Sequence, residues 1–419
     1  MAFFFRMAFR NLFRHRLRTM VSVAAVAFSV LLVVFARGYV TGMADAISID
    51  HIYYDSGHIK LLDRDYRARE RLMPLTYPVD GRENGTLHGM IADLEEVYGI
   101  SMVVPRLRFG AMISTEDEIV GIIGWGVDPQ KELAFTNVGD YIVEGRMVDS
   151  GKMEALMGSE LLKKIDRRVG DKVTVVFSDS FNSLTGATFE IVGRLLSGIK
   201  LLNEGVFYLP LDQAQRLLDM EGQTTELLLV TSSRDSVAKV LPEVKSLLAR
   251  RGAQERYLAL SYRETSDLIP WMDLGELIYN QIYVFLVILA CVVVVNTMIM
   301  IVVERTQEIG MMSALGLEGK GIMQLFVIEG FLLGVVGSLI GALLGFLLTW
   351  YFARVGMDFT SATSGFTTDI VFNAVIYPSA DMGNTLFAFV LGVVIVTLAS
   401  LLPARQAARL EPTEAMRRA

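Results

Sequence analysis

The chain has 419 residues, 52% of them hydrophobic and 20% charged, with a formal net charge of −7. It is too apolar for an ordinary soluble enzyme and too charged for a protein embedded in lipid throughout. The composition therefore implies membrane helices plus one sizeable water-soluble domain. The single cysteine, Cys291, lies inside an apolar run, so no intramolecular disulfide is available.

Residues 1–19 form a basic segment with Arg6, Arg10, Arg14, Arg16 and Arg18. Crossing a hydrocarbon core as a helix takes roughly 20 apolar residues, and the runs at 20–43, 277–303, 322–352 and 383–402 meet that length. Ala25-Val26-Ala27 resembles a cleavage box, but the apolar run continues through it to Phe35, so an uncleaved anchor is expected. Arg37 is expected to snorkel to the outer interface. The 403–419 tail carries Arg405, Arg409, Arg417 and Arg418, whereas the 353–382 loop has Arg354 beside Asp358, Asp369 and Asp381. The positive-inside bias then places both termini and the 304–321 connector in the cytoplasm, with 44–276 and 353–382 outside.

Residues 44–275 hold 26 Lys and Arg against 36 Asp and Glu, a sign that argues against a nucleic-acid partner. The pattern reads as α+β. Strands are expected near 57–62, 102–114, 118–127, 172–178, 186–196, 205–209 and 226–231, and helices near 86–98, 154–166, 211–220 and 234–251. In the last helix, Val237, Val240, Leu241, Val244, Leu247 and Leu248 form a core stripe, with Pro242 inside it. Residues 41–56 and 263–276 lack strong breakers, so the first two spans are expected to continue as helical stalks, with Pro270 and Gly275 as flex points.

Catalytic signals are weak. The four histidines, His15, His51, His58 and His88, show no metal-ligand spacing, and His51 and His58 read as surface residues. Gly-x-Ser-x-Gly is absent. Gly316-Leu317-Glu318-Gly319-Lys320-Gly321 has the wrong spacing for a Walker loop and no Ser or Thr after the lysine. No metal site and no bound cofactor are expected, and the chain reads as non-enzymatic.

In the third span, Gly330, Gly334, Gly337, Gly341 and Gly345 fall within roughly an 80° arc and invite close helix–helix packing. Glu329 should face protein, the connector or the headgroups. Within the connector, Ile309, Met312 and Leu315 recur at i, i+3, i+6, acidic residues cluster at the start, and Gly316 is placed as a helix stop. These residues fit an interfacial helix that turns the chain round equally well as a short helix offered to a cytoplasmic partner.

Three stretches resemble the FtsX/MacB-type ABC transporter permeases: FRMAFRNLFRHRLRT at the N-terminus, ERTQEIGMMSALGLEGKGIMQLFVIEG, and LLPARQAARLEPTEAMRR at the C-terminus. The outer segment IVGRLLSGIKLLNEGVFYLPLDQAQRLLDMEG is similar to the lipoprotein-releasing permeases LolC and LolE. The resemblance implies an α-helical membrane protein with four transmembrane helices (a type VII ABC permease) and one large α+β extracytoplasmic domain between helices 1 and 2. It implies a bacterial inner-membrane location and a dimer with a second permease, the same or a similar chain. A separate cytoplasmic ATPase dimer would carry ATP and Mg, and the 304–321 connector would be its coupling helix through Glu308, Ile309, Gly310, Met312, Leu315 and Gly316. Unlike MacB, the sequence shows no fused ATPase, and its outer domain is larger than that of the cell-division FtsX. The implied task is mechanotransmission that extracts lipoproteins from the outer leaflet, with a periplasmic carrier or adaptor as a further partner. Leu32, Phe35, Ile282 and Phe285 are candidate cargo contacts, with plain lipid-facing or packing roles as the alternative. An efflux permease for peptides or small molecules and a relay to a cell-wall hydrolase are the other readings that the resemblance leaves open.

Overall fold

A computed structural model of the chain describes residues 2–12, 16–81, 85–115, 118–359 and 375–410. His15, Arg14, Asp369, Arg417 and Arg418, and the end of the C-terminal motif from residue 411, lie outside the described residues. The chain divides into two compact units, one of Met1–Ala44, Met272–Met357 and Ile376–Ala419, the other of Asp45–Trp271 and Asp358–Val375.

The first unit is helical. Helix α1 (Ala2–Leu12) is short, and α2 (Arg16–His51), α3 (Leu268–Glu304), α5 (Gly319–Val355) and α6 (Met382–Ala408) are the long ones, with α4 (Thr306–Ala314) between α3 and α5. Each of the four long helices contains one of the apolar runs, and each is long and apolar enough to cross a bilayer. Helices α2 and α3 extend well past their apolar runs, and Pro270 and Gly275 both sit within α3.

Helix α5 is the axle of this unit. Its five ridge glycines are all buried, but they serve two neighbours. Gly330 and Gly334 face Ser400 and Val396 of α6, whereas Gly337, Gly341 and Gly345 face Val26, Ala27 and Val34 of α2. A Cβ at Gly337 would stand 2.8 Å from the Val26 Cβ, and one at Gly345 equally close to the Val34 Cβ. Only hydrogen in place of a side chain lets these backbones approach so far.

The second unit is one α+β domain. Its strands are β1 (Ile59–Asp63), β2 (Ile100–Ser114), β3 (Ile119–Val127), β4 (Ile142–Gly145), β5 (Glu154–Gly158), β6 (Lys172–Ser178), β7 (Leu184–Leu195), β8 (Val206–Pro210), β9 (Glu226–Thr231) and β10 (Tyr257–Ser261). They form one sheet in the order β10-β1-β9-β2-β3-β8-β5-β7-β4, with β6 hydrogen-bonded to β2 and β7. The long strand β2 pairs with β9 through its first half and with β3 through its second, and Arg106 stands at the hand-over, opposite both Glu226 and Val127. One core gathers around β1 and β9 beneath helices Leu87–Glu95 and Val237–Arg250, and another around Phe109, Phe177, Phe189 and Phe207.

One expectation needs correction. Residues 154–166 are not one helix: Glu154–Gly158 is a fully buried strand between β7 and β8, and only Ser159–Lys164 is helical. A short apolar run buried on both faces carries no periodicity that separates strand from helix. Helix Pro129–Phe135 and strands β4 and β10 also escaped the pattern reading. The helix had announced itself, because the Asp128 carboxylate accepts from the amides of Gln130 and Lys131 at 3.0 and 3.2 Å and proline occupies the first turn.

The ridge gives a direct test. Gly341→Ala should lower the thermal midpoint of the detergent-purified chain, because its Cβ meets the Ala27 backbone and overpacking costs about 1–3 kcal/mol. Gly275→Ala, whose Cβ meets nothing closer than the Tyr279 ring at 3.5 Å, should instead gain up to ~1 kcal/mol from helix propensity.

Candidate coupling site and buried ionic clusters

The connector owes its shape to its two ends. At the start, Arg305 occupies the cap position with φ −99°, so the chain leaves α3 and re-enters a helix one residue later. At the far end, Gly316 adopts φ +95°, its amide donates to the Ser313 carbonyl, and the Leu317 amide donates to the Met312 carbonyl, both at 3.0 Å. That is the double bond of a glycine-terminated helix. Glu318 then caps α5, and Gly319, Lys320 and Gly321 form its first turn. A Cβ at Gly319 would lie 2.8 Å from the Ala408 carbonyl oxygen of α6. GLEGKG is thus one helix end and the next helix start, packed against a third helix.

A single guanidinium mounts the connector on the membrane unit. Arg305, 5% exposed, donates through Nε to Glu308 Oε2 at 2.9 Å and lies 4.0 Å from Glu329 Oε2. The Asn11 carboxamide oxygen, turned to satisfy both groups, accepts from Nη1 and Nη2 at 3.0 and 3.1 Å. Helices α1, α4 and α5 therefore meet on one side chain. Glu329 is 2% exposed and faces this arginine, so it points into protein. Nearby, Arg18 of α2 is paired with Glu304 at the end of α3.

The six connector residues singled out in the sequence separate into two groups. Ile309 and Gly310 are buried, Ile309 completely, in the core that holds Ile301, Ile322 and Phe326. Met312 and Glu308 are half-buried, while Leu315 is 89% exposed and Gly316 is exposed. The i, i+3, i+6 spacing spreads Ile309, Met312 and Leu315 over about 120°, so Leu315 turns toward Met311, only about 40° away. Met311 is exposed too. Ile309 belongs to the mount, and the outward apolar pair is Met311 with Leu315.

Arg37 does not simply reach outward. Its Nε donates to Asn384 Oδ1 at 2.6 Å, Nη1 donates to Asn280 Oδ1 at 2.8 Å, and the guanidinium stacks on the Phe387 ring at 4.2 Å. It joins α2, α3 and α6 through the amides that hydrocarbon would leave unsatisfied. Of the four candidate cargo contacts, Ile282 and Phe285 are exposed on α3, Leu32 is half-buried, and Phe35 packs edge-on against Phe352 at 5.7 Å.

The second unit holds a buried ionic cluster that hydropathy does not reveal. After α2 ends, a π-helical turn (Ile52–Ser56) presents Asp55, and Gly57, at φ +64°, admits the chain to β1. Arg108 Nη1 donates to Asp55 Oδ1 at 2.6 Å; Lys60 Nζ donates to Glu70 Oε1 at 2.6 Å and lies 2.8 Å from Glu226 Oε2. Arg106 donates from Nη2 to Glu132 Oε1 at 2.7 Å and from Nη1 to the Tyr54 carbonyl at 3.0 Å, with its guanidinium over Trp125. Burial alone would lower the Lys60 ammonium, but the carboxylates of Asp55, Glu226 and Glu70 outweigh it and hold it above the ordinary lysine range. For Glu70, burial acts upward, yet the attraction of Lys60 prevails and its carboxyl stays below the ordinary value.

His51 is buried here, not on the surface, with Nε2 2.9 Å from Thr265 Oγ1 and Nδ1 3.6 Å from Asp55 Oδ2. The π turn and Gly57 separate it from His58, which accepts from the Thr231 amide. A cleft of about 540 Å³ opens beside His51, Asp55, Glu70 and Arg108. Among the described residues, no group of three or more His, Cys, Asp or Glu side chains is placed to hold a metal ion.

Four long apolar helices and an α+β domain inserted between the first two define a multi-pass membrane protein. A family model described as FtsX-like permease C-terminal matches residues 280–412, and one described as MacB-like periplasmic core domain matches residues 19–247, more than half of the chain. The chain belongs to the FtsX-like permeases that carry a MacB-like periplasmic core domain. The lipoprotein-releasing system transmembrane protein LolC of Neisseria meningitidis serogroup B is 23% identical over 416 residues, covering 95% of this chain and 94% of LolC. LolE of Haemophilus influenzae is 25% identical over 338 residues, 77% of each chain. The macrolide export ATP-binding/permease protein MacB of Psychrobacter cryohalolentis is 35% identical over 142 residues, 34% of this chain and 19% of MacB.

The Lys60 cluster sets a pH test. Because the folded-state pKa of Glu70 lies below its ordinary 4.5, its contribution is complete at neutral pH and is lost as acid titrates the carboxylate below that value. Glu70→Gln should cost about 2 kcal/mol at pH 7, and the gap in thermal midpoint between wild type and variant should close as the pH falls below about 4.5.

Proposed function

We propose that this chain is the permease subunit of an ABC transporter that extracts lipoproteins, or similarly lipidated cargo, from the outer leaflet of a bacterial inner membrane. The observation that carries this reading is the near full-length match to LolC, together with a connector that presents Met311 and Leu315 from a buried mount. A helix held by Arg305 and Ile309 can be pushed without detaching, which suits a part that receives force from a cytoplasmic ATPase dimer. The chain itself is non-catalytic on this reading: ATP and Mg belong to the partner, and it binds no cofactor of its own. The basic termini lie in the cytoplasm and the acidic domain in the periplasm, a placement that the arginine distribution supports. A second permease copy and a periplasmic carrier or adaptor complete the machine. The candidate cargo contacts are the exposed Ile282 and Phe285 on α3.

The 35% identical segment of MacB favours a second reading, an efflux permease working with a periplasmic adaptor. Purification of the chain with its ATPase and mass spectrometry of co-purified species separates the two. Acylated proteins should be recovered, and added lipoprotein should stimulate ATP hydrolysis. No acylated protein and no stimulation would sink lipoprotein release.

The connector reading has its own test. Met311→Asp with Leu315→Asp should abolish co-purification of the ATPase while leaving the thermal midpoint of the permease unchanged. Ile309→Asp, which buries a charge, should instead lower that midpoint.

A further inference from the structure

Arg37 is tied to its neighbours but not satisfied by them. A guanidinium carries five N–H donors and accepts nothing. Among the described residues, its Nε is spent on Asn384 Oδ1 and its Nη1 on Asn280 Oδ1, while the Phe387 ring covers one face. Nη2 is left without an acceptor, and no described carboxylate forms an ion pair with the group. The carboxylate just before Asn384 is engaged elsewhere, because Asp381 Oδ2 caps α6 by accepting from the Asn384 amide at 2.9 Å.

The same bias runs through the groups around it. Both carboxamide oxygens are taken by Arg37. Asn384 gives its Nδ2 to Thr41 Oγ1 at 3.2 Å, which leaves the Thr41 hydroxyl hydrogen to be donated, and Asn280 Nδ2 has no acceptor among the described residues. Arg37, Thr41 and Asn280 are half-buried, so their donors remain open to whatever surrounds the helices. Acceptors used up, donors left over and one uncompensated positive charge make a receptor for an oxyanion.

Depth says which oxyanion. At about 1.5 Å per residue, Arg37 stands about 28 Å along α2 from Arg18, Asn280 about 36 Å along α3 from Glu304, and Asn384 about 32 Å along α6 from Arg405. A hydrocarbon core is about 30 Å thick. On each of the three helices the junction thus lies one core thickness from the charged end, at the level of the opposite head groups.

We propose that the open edge of Arg37, with Asn280 Nδ2 and the Thr41 hydroxyl, binds the phosphate of a phospholipid in the leaflet opposite the basic N-terminal segment. The phosphate supplies the counter-charge that the protein omits where α2, α3 and α6 meet. Lipid occupancy then sets how firmly α2 and α3 are held together at this end.

The test uses the full chain purified in dodecyl maltoside, a detergent without phosphate, and needs neither ATPase nor cargo. Native mass spectrometry reads binding, and the thermal midpoint reads its effect. Dioleoyl phosphatidylglycerol should bind and raise the midpoint, whereas dioleoylglycerol, with the same acyl chains and no phosphate, should do neither. Inorganic phosphate at the same concentration should leave the midpoint unchanged, and an equal shift from it would overturn a lipid as the source. Asn280→Asp keeps an oxygen for Arg37 Nη1 but replaces the spare donor with a carboxylate. It should hold the lipid-free midpoint and weaken phosphatidylglycerol binding roughly 100-fold. Thr41→Val, which removes the hydroxyl, should weaken it about ten-fold. Arg354→Gln removes another exposed arginine, stacked on Trp350 of α5, and should leave the affinity as it is. Equal binding of dioleoylglycerol, unchanged affinity in Asn280→Asp, or an equal loss in Arg354→Gln overturns the assignment.

Discussion

The membrane unit depends on how closely α5 lets its neighbours approach. Lipid tails are as apolar as leucine, so no hydrophobic gain drives one spanning helix onto another. What remains is dispersion between surfaces that fit and polar ties that have no better partner. The glycine ridge supplies the first, with α6 on one half and α2 on the other. Arginines supply the second: Arg305 gathers α1, α4 and α5, and Arg37 gathers α2, α3 and α6. Side-chain packing holds the middle, and charged groups fix the register.

The water-soluble domain solves a different problem. Lys60, Arg106, Glu132 and Glu226 are fully buried, a condition that carries a desolvation cost of several kcal/mol for each ion. The cost is tolerable because each charge meets an opposite one at hydrogen-bond range or close to it. The residues come from distant segments: Asp55 from the turn after α2, Lys60 from β1, Arg106 and Arg108 from β2, Glu132 from the helix after β3, and Glu226 from β9. A hydrophobic substitute could hold those segments together but could not insist on one registration. Specificity of arrangement is the better account of why the charges are there.

Much of this was legible in the residues. The apolar runs, the connector, its glycine stop and most strands of the α+β domain follow from local periodicity, which is set by nearest-neighbour geometry. What escaped depends on the partner surface. Ile309 and Leu315 are equally apolar residues on one short helix, and only the packing of α4 on Phe326 and Ile322 shows which of them is buried and which is open. His51 reads as polar surface because the groups that enclose it, Thr265 above all, lie 214 residues away. Arg37 looked like a snorkelling residue, since neither Asn280 nor Asn384 stands near it in the chain. Glu154–Gly158 joined the sheet because β7 and β8 needed a strand between them, against its own helical composition.

Strand β2 has a bearing on how the α+β domain comes apart. At 15 residues it is about 50 Å long, and both cores share it: its first half pairs with β9 and its second half with β3. Neither core can lose its half without exposing the other's edge. The two are therefore one cooperative unit that melts in a single step, and a chain interrupted within β2 would leave two fragments, each holding an unpaired strand edge.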